Sequence, residues 1–284
     1  MIRNLPQSKR YSLGFKIYII LFFVFLFAPL AITCVLAFND SMFPALPWKG
    51  FTLDWFTGTS IERTGIFHDQ INLDSIWVSF KVAFFVSIFS TIVGTMGAFL
   101  FEQEEFRFKQ VLFFLMLAPL VIPGVILGIS ILLLSNTLGL FFEQTFGIDI
   151  ALFRPGFWLV VLGQFSFITT IVTLIVSARL KKFDRTLEEA AMNLGATRFE
   201  TIIHITLRYL KPAIIGGLAV SFLMSFENFN TTLFLVSSQA TLPINLYLQV
   251  RDGSTPVINA ISVLLITGTS ILAVINLYFT KSED

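Results

Sequence analysis

Apolar residues dominate six long stretches of the chain, and shorter polar stretches separate them. The apolar stretches cover approximately residues 15–38, 75–101, 110–135, 157–178, 212–237 and 257–280. Each has the length of roughly 20 residues that an α-helix needs to cross the hydrocarbon core of a bilayer. The pattern therefore predicts an all-α, polytopic membrane protein with six transmembrane helices, which form a single domain over residues 1–284.

Charged residues interrupt the second and fifth stretches. Lys81 can be accommodated near a helix end, where a lysine side chain extends to the membrane surface. Glu227 can be accommodated if it faces the protein interior. Neither charge therefore argues against a membrane-spanning helix.

Composition supports the membrane class. Of the 284 residues, 55% are hydrophobic and 13% are charged, and the mean hydropathy is +0.82. A soluble globular protein has about 25% charged residues. The charge content is thus about half of what a soluble protein of this size would carry.

Basic residues are distributed unequally between the two sets of connecting segments. With the N-terminus inside, the inner segments hold Arg3, Lys9, Arg10, Lys16, Arg107, Lys109, Arg179, Lys181, Lys182, Arg185, Arg198, Arg208, Lys211 and Lys281. The outer loops hold Lys49, Arg63, Arg154 and Arg251. An excess of Lys and Arg marks cytoplasmic segments. We therefore expect both termini, and the connection between the fourth and fifth helices, to be cytoplasmic.

That connection is a charged stretch with helical spacing, residues 186–212. Thr186 and Glu189 have the spacing of a capping box, in which a hydroxyl and a carboxylate each satisfy a free N–H group of the first helical turn. Thr197 and Glu200 repeat the spacing, so a second helix is expected to begin there. The stretch predicts two short helices in quick succession.

A glycine separates the two predicted helices. Gly195 suits the left-handed position that ends a helix, so residues 186–200 form an elbow of helix, turn and helix. Ala190, Ala191 and Leu194 give its first helix a smooth apolar stripe that a partner's groove could accept. Charged residues would border this stripe: Glu188, Glu189, Arg198 and Glu200. Taken alone, the pattern also fits an ordinary helical hairpin on a protein surface.

Three features of residues 186–212 match the pattern of a known family. Glu189-Ala190-Ala191, Gly195 four residues later, and Ile205-x-Leu207 ten residues after the glycine resemble the EAA loop of ABC importer permeases. In that family the loop is a coupling helix that lies in a cleft of the ATP-hydrolysing subunit. The resemblance implies an ATPase-coupling role for Glu188, Glu189, Ala190, Ala191, Leu194 and Gly195.

The resemblance extends over nearly the whole chain. Residues 37–41, 48–56, 119–130, 241–243 and 256–260 are similar to the polyamine branch of these permeases. This implies a multi-pass permease subunit of the bacterial inner membrane that carries spermidine or putrescine. It also implies three kinds of partner: a second related permease, two ATP-binding subunits and a periplasmic solute-binding protein. ATP and Mg²⁺ would be bound by the partner ATPase, and the chain itself would hold no cofactor. It would contact membrane lipid and no nucleic acid.

Polar residues in the fifth apolar stretch are candidates for the solute path. A charge at the bilayer centre costs at least ~2.5 kcal/mol, so it must face protein or water. The candidates in this stretch are Glu227, Asn228, Asn230 and Thr231. On a continuous helix Glu227, Asn230 and Thr231 would share a face that suits a passing organic cation. Gln164, in the fourth stretch, either lines the same path or forms an interhelical hydrogen bond.

Two alternatives remain open for Glu227: it meets the solute, or it pairs with Lys81 or with a partner subunit. Polyamine permeases tend to have two acidic residues where this chain has Glu227-Asn228. Another small solute, such as an opine, a phosphonate or ferric ion, therefore remains an alternative cargo.

The third apolar stretch contains two prolines and two glycines that affect its helical geometry and its packing. Pro119 and Pro123 each remove a helix hydrogen bond and predict a kink or a break. Gly124 and Gly128 have the spacing that allows two membrane helices to approach closely. The more ordinary interpretation is helix packing, and the alternative is direct contact with solute.

The sequence contains no motif for nucleotide binding or hydrolysis. It has no G-x-x-x-x-G-K-[ST] phosphate loop, no H-E-x-x-H helix and no G-x-S-x-G turn. His68 and His204 have no companions at metal-ligand spacing. We therefore expect no catalytic residue, no metal site and no enzyme activity in this chain.

An ion-coupled secondary transporter is a second possible class. Such a transporter would need intramembrane carboxylates or broken helices arranged in repeats, and the sequence has one clear intramembrane carboxylate and no convincing internal repeat.

Overall fold

The computed structural model of the chain describes residues 9–253 and 255–280, so Arg3 and Lys281 of the charge analysis lie outside it. Its helices are α1 (Lys9–Leu36), α2 (Asp54–Thr57), α3 (Gln70–Gln103), α4 (Lys109–Val121), α5 (Gly124–Phe146), α6 (Phe157–Leu180), α7 (Thr186–Asn193), α8 (Arg198–Thr201), α9 (Leu207–Phe226), α10 (Leu242–Gly253) and α11 (Val257–Thr280). A π-helical turn covers Ile202–Thr206, and 3₁₀ turns cover Ala151–Phe153 and Thr232–Phe234. Two short strands, β1 (Thr59–Ser60) and β2 (Arg63–Thr64), pair in an antiparallel hairpin.

The predicted all-α, polytopic class is confirmed. Within the described residues, five helical segments contain an apolar stretch long enough to cross a bilayer: Tyr11–Leu36, Gln70–Gln103, Gly124–Phe146, Phe157–Leu180 and Arg198–Phe226. The sixth apolar stretch forms the 24-residue helix α11, with the predicted bounds 257–280. The fourth stretch also matches closely, because α6 extends only two residues beyond the predicted end at 178.

The third apolar stretch differs from one continuous helix. It forms α4 and α5, and the chain is extended between them at Ile122 (ψ 128°) and Pro123 (ψ 131°). Proline disfavours the helical conformation in the residue before it, which accounts for the break at Ile122. Pro119 is accommodated inside α4. Of the two predicted outcomes, the structure thus has a break, and it lies at the second proline.

The fifth stretch differs more. The sequence predicts a helix over 212–237, but α9 begins at Leu207 and ends at Phe226. Beyond Phe226, the Asn228 side chain accepts hydrogen bonds from the backbone N–H of Thr232 at 3.3 Å and from its hydroxyl at 2.9 Å. Such local bonds from an asparagine compete with the helical ladder. Glu227, Asn230 and Thr231 therefore do not share one helix face, and that part of the prediction is wrong.

Helix α10 has no counterpart in the prediction. It is short and amphipathic, so a search for apolar stretches overlooks it. Its first turn is anchored to α3, because the Leu242 N–H donates to Ser79 Oγ at 2.7 Å and Asn245 donates to Ser75 Oγ at 3.2 Å. These contacts fix the chain that follows the irregular segment after α9.

The described residues form two compact units, one of residues 9–73, 248–253 and 255–280 and the other of residues 74–247. In the first unit α1 packs against α11. The loop after α1 folds around Trp55, whose indole N–H donates to Asn39 O at 2.8 Å. Arg63 joins this loop through ion pairs with Asp40 at 2.5 Å and Asp54 at 3.1 Å.

The second unit is organised around α6. Val160, Ile168, Val172 and Val176 of α6 are buried. Helices α3 and α9 both approach Val172 closely: a Cβ atom on Gly94 would lie 2.8 Å from Val172 Cβ, and one on Gly217 would lie 3.2 Å from Val172 Cγ1. These glycines let both helices pack directly against α6, which thereby positions the candidate sites.

Candidate functional site

Both groups of predicted site residues lie in the second unit, at different heights along α6. The elbow follows the end of α6 at Leu180, and the solute-path candidates surround Gln164. Sixteen residues separate these two levels, which is about 24 Å at the helical rise of 1.5 Å per residue. The chain therefore carries two sites rather than one.

The glycine turn of the elbow has the predicted geometry. Gly195 has φ of +96°, in the region that L-residues with a side chain rarely adopt. Its N–H donates to Met192 O at 3.0 Å, and the Ala196 N–H donates to Ala191 O at 3.1 Å. These two bonds are typical of a helix that ends at a glycine. The prediction for Gly195 is confirmed.

One of the two predicted capping boxes is present. The Glu200 N–H donates to Thr197 Oγ1 at 3.3 Å, and the Thr197 N–H donates to Glu200 Oε2 at 2.8 Å. Two hydrogen bonds from Thr197 lower the pKa of Glu200 below its ordinary value. The bond from the Thr197 backbone N–H has the larger effect, and the bond from the Thr197 hydroxyl has the smaller one. The box at Thr197 is confirmed, and it fixes the start of α8.

The other predicted box, between Thr186 and Glu189, is wrong. The Thr186 N–H donates instead to Asp184 Oδ1 at 3.0 Å. An aspartate two residues before a free N–H makes this turn readily. Asp184 therefore accepts from the Thr186 N–H, which the Glu189 carboxylate was expected to bind. The same bond lowers the pKa of the Asp184 carboxyl. Glu189 consequently stays exposed.

The outer face of the elbow is apolar and projects from the protein. Leu194 is 90% exposed and Phe199 is 72% exposed, and Leu187 and Ala190 are exposed on the same side. Ala191, by contrast, is half-buried. The stripe on α7 and its end therefore consists of Leu187, Ala190 and Leu194, and it does not include Ala191. An apolar face of this kind marks an interaction surface.

Glu188 lies on the inner side of the elbow and does not border the stripe. Its Oε1 accepts a short hydrogen bond from the Thr206 hydroxyl, in the π-helical turn. The same oxygen accepts from Gln103 Nε2 at 3.5 Å. Glu188 thus ties α7 to α3 and to the helix that continues into α9. The sequence carries no local signal for these partners, because Gln103 is 85 residues away.

Gln164 is fully buried in a hydrogen-bonded network between α6 and the segment after α9. Its Nε2 donates to Thr232 Oγ1 at 2.8 Å, and its Oε1 accepts a short bond from the Ser225 hydroxyl. The Thr232 hydroxyl in turn donates to Asn228. Every polar atom of the Gln164 amide that faces this cluster has a partner. The interhelical alternative for Gln164 is the one that the structure contains.

Two helix breaks meet beside this network. A Cβ atom on Gly124 would lie 2.9 Å from Asn230 Cβ, and one on Gly128 would lie 2.7 Å from Thr231 O. The start of α5 therefore packs against the irregular segment after α9 and not, as the spacing suggested, against a helix. Irregular backbone at membrane depth is tolerated only where protein buries it or where it lines water. We call this contact between residues 122–128 and 227–232 the junction.

Glu227 and Asn230 are exposed at the junction, whereas Thr231 is buried. Glu227 forms no ion pair with any described residue of the chain. The Lys81 ammonium lies over the Trp77 ring, 5.9 Å from its centroid. The alternative in which Lys81 pairs with Glu227 is therefore not found. What remains is an exposed carboxylate beside an amide, an arrangement that can attract a cation.

Known proteins resemble this chain over its full length. Residues 90–281 match the family described as binding-protein-dependent transport system inner membrane component. The putrescine transport system permease protein PotI of Escherichia coli K12 is 31% identical over 100% of this chain and 95% of PotI. The spermidine/putrescine transport system permease protein PotC of Haemophilus influenzae is 27% identical over 92% of this chain and 94% of PotC.

A solved structure supports the fold. One chain of a bacterial ABC transporter involved in the import of the acidic polysaccharide alginate matches with a TM-score of 0.67. The match covers 97% of this chain and 100% of that chain at 14% identity. An identity this low is evidence for a shared fold and not for a shared cargo.

Proposed function

Because the chain belongs to the family of binding-protein-dependent transport system inner membrane components, we propose that it forms half of the solute pathway of an ATP-driven polyamine importer. The other half is a second, related permease. Two ATP-binding subunits supply the energy, and a periplasmic binding protein delivers the solute. This chain hydrolyses no ATP itself.

The observation that carries the proposal is the exposed apolar face of the elbow. Leu187, Ala190 and Leu194 are exposed at the spacing of one helix face, and Phe199 is exposed in α8. The turn at Gly195 joins α7, which carries most of this face, to the helical segment that leads into α9. A soluble partner with a matching groove would cover it. In the proposed complex that partner is the ATPase.

The elbow is well placed to pass on movement, because it is continuous with two long helices. It joins the end of α6 through residues 181–185 and the start of α9 through the π-helical turn. When the two ATPase subunits close on ATP, the elbow moves with them and displaces both helices. The junction near Gln164 opens outward to receive solute, and ATP hydrolysis returns the helices.

The basic residues near the elbow support a cytoplasmic location for it. Arg179 lies in the last turn of α6, and three further basic residues follow the helix: Lys181, Lys182 and Arg185. Lys and Arg are enriched on the cytoplasmic side of membrane proteins. With this orientation the elbow faces the compartment that contains ATP, and both chain termini are cytoplasmic.

Polyamines are the proposed cargo because two relatives aligned over most of their length are named for putrescine and spermidine/putrescine. The exposed carboxylate of Glu227 is compatible with a cationic solute. Asn228 is committed to Thr232 and is therefore not free to bind solute in this conformation. Within the proposed pathway, Glu227 and Asn230 are the groups that a polyamine would meet.

The experiment that tests the proposal is uptake of labelled putrescine and spermidine into proteoliposomes. The vesicles contain this chain, its partner permease and the ATPase, and the binding protein is added outside. We expect uptake that requires both ATP and the binding protein. ATP hydrolysis that is stimulated without polyamine uptake would support the importer class and contradict the polyamine cargo. Uptake that needs no ATPase would instead support an ion-coupled transporter.

A further inference from the structure

The end of α3 carries a charge arrangement that is unfavourable for that helix alone. Glu102 lies in its last turn, Glu104 and Glu105 follow directly, and the last turn contains no basic residue. The C-terminus of a helix is the negative end of its dipole, so acidic residues there are destabilising. Positive charge from elsewhere must therefore compensate this end.

The elbow and the residues that lead into it supply that charge. Arg185 Nη2 donates to the Glu102 carbonyl oxygen at 2.6 Å. The last carbonyl groups of a helix have no intrahelical partner, so Arg185 acts as a cap for α3. The Lys181 ammonium pairs with the Glu102 carboxylate at 3.4 Å, and that carboxylate side chain is only 15% exposed.

Two further contacts reach both helices of the elbow. Arg198, in α8, pairs with Glu104 at 2.7 Å across 94 residues of sequence. Glu188, in α7, accepts from Gln103 at 3.5 Å. The end of α3 is thus bound to the segment before the elbow, to its first helix and to its second helix.

We propose that these four contacts form a clasp, through which α3 moves with the elbow. The elbow is joined covalently to α6 and α9, so α3 is the third helix that moves with it. The clasp consists of the pairs Arg185–Glu102, Lys181–Glu102, Arg198–Glu104 and Gln103–Glu188. Its members are positioning residues, which act through α3 and not on solute. This inference rests on the proposed function of the elbow.

The packing of α3 against α6 carries movement of the clasp along the helix. Gly94 and Gly97 allow α3 to lie closely against Val172 and Thr173 of α6. Three valines continue this contact, because they share a buried core cluster with residues 159–161 of α6: Val78, Val82 and Val86. A displacement at the clasp would therefore move α3 together with α6 over this whole length.

The Arg198–Glu104 pair can be tested by charge reversal, because both side chains are exposed and tolerate substitution. The variants are Glu104→Arg, Arg198→Glu and the double exchange, each in the complete reconstituted complex. Solute uptake per ATP hydrolysed is measured together with co-purification of the ATPase. Exposed ion pairs are individually weak, so we expect each single reversal to lower uptake per ATP by only about threefold. The double exchange should restore it.

A matched control lies next to the clasp. Lys109 pairs with Glu105 at 2.7 Å four residues away, and within the described residues Lys109 forms no hydrogen bond or ion pair with residues 186–200. Reversal of the Lys109 charge, in Lys109→Glu, should leave uptake per ATP unchanged. This control separates loss of the clasp from a general change in surface charge.

The outcomes distinguish the clasp from the proposed function. Full uptake per ATP in both single variants would overturn the clasp. So would an Arg198→Glu defect that Glu104→Arg does not rescue. If that defect came with loss of ATPase co-purification, Arg198 would instead belong to the docking surface. If the unmodified complex lacked ATP-dependent uptake, the proposed function would fall, and the clasp with it.

Discussion

Gly128 lies so close to Thr231 that a Cβ atom on the glycine would be 2.7 Å from the threonine carbonyl oxygen. The contact joins α5 to the irregular segment after α9. Because the neighbour is a backbone atom, it cannot move aside as the end of a flexible side chain could. A side chain at position 128 would therefore push the two broken helices apart.

We accordingly expect Gly128→Ala to destabilise the protein by about 1–3 kcal/mol, the range of overpacked cores. The measurement is thermal unfolding of the purified chain in detergent. Gly216→Ala is the matched control, because nothing lies within 4 Å of a Cβ atom there. Equal stability of the two variants would contradict the close packing of the junction.

Gly195→Val should disrupt the elbow, because valine at φ of +96° is strained by roughly 1–3 kcal/mol. We expect loss of ATPase co-purification and of ATP-driven uptake. Gly147→Val is the control: Gly147 also has positive φ (+65°) and open space around a Cβ atom, but it follows α5, away from the elbow. If Gly195→Val retained both activities, the docking role of the elbow would be wrong.

The capping box at Thr197 should make the second helix of the elbow sensitive to acid. Its hydrogen bonds lower the pKa of Glu200 below the ordinary 4.5. Stabilisation by Glu200 is therefore complete above pH 4.5 and is lost as pH falls through the lower folded-state pKa. Hydrogen–deuterium exchange of residues 197–206, corrected for the intrinsic pH dependence, should show protection that declines in this acid range.

The control for this prediction is Glu200→Gln, which cannot ionise. Its protection should be lower near neutral pH and should lack the acid-dependent decline. An identical decline in the variant would assign the effect to another group.

Gln164→Leu should destabilise the chain by about 1–3 kcal/mol, because the buried Ser225 hydroxyl loses its acceptor and the Thr232 hydroxyl loses one of its two partners. If the network acts as one unit, Ser225→Ala should add less to this variant than it costs alone. The measurement is a double-mutant cycle on denaturant unfolding. Additive effects would show that the two groups act independently.

Glu227→Gln should slow uptake of a dicationic polyamine by roughly fivefold, the effect of ~1 kcal/mol for one charge at 4 Å in water. Added salt should shrink the difference because it screens the charge. Glu143→Gln, an exposed glutamate near the end of α5, is the control. Unchanged uptake together with a less stable complex would indicate that Glu227 pairs with a partner subunit.

The parts of the fold that could be predicted are those with a local cause. Apolar stretches are visible in the sequence because each helix must match the bilayer along its own length. Gly195 was predictable because few other residues fit its backbone conformation. The end of α9 was not, because it depends on a competition between helical bonds and the bonds that Asn228 forms with Thr232.

The candidate sites were predictable only in part for a related reason. Asp184 and Glu189 both have a spacing that can cap α7, and the sequence does not rank them. The partners of Glu188 and Gln164 lie on distant segments, and one sequence does not reveal which segments become neighbours. The polar residues at the junction could be identified from the sequence. Only the structure shows that Gln164 lies in a buried network and that Glu227 is exposed.

The π-helical turn at Ile202–Thr206 determines the direction in which the elbow faces. A π-turn accommodates one residue more than an α-turn, and each residue of an α-helix corresponds to a rotation of 100°. The direction in which Leu194 and Phe199 point around the axis of α9 therefore depends on the number of residues in this turn. Deleting one residue from this turn would rotate the docking face by about 100° and leave its composition intact.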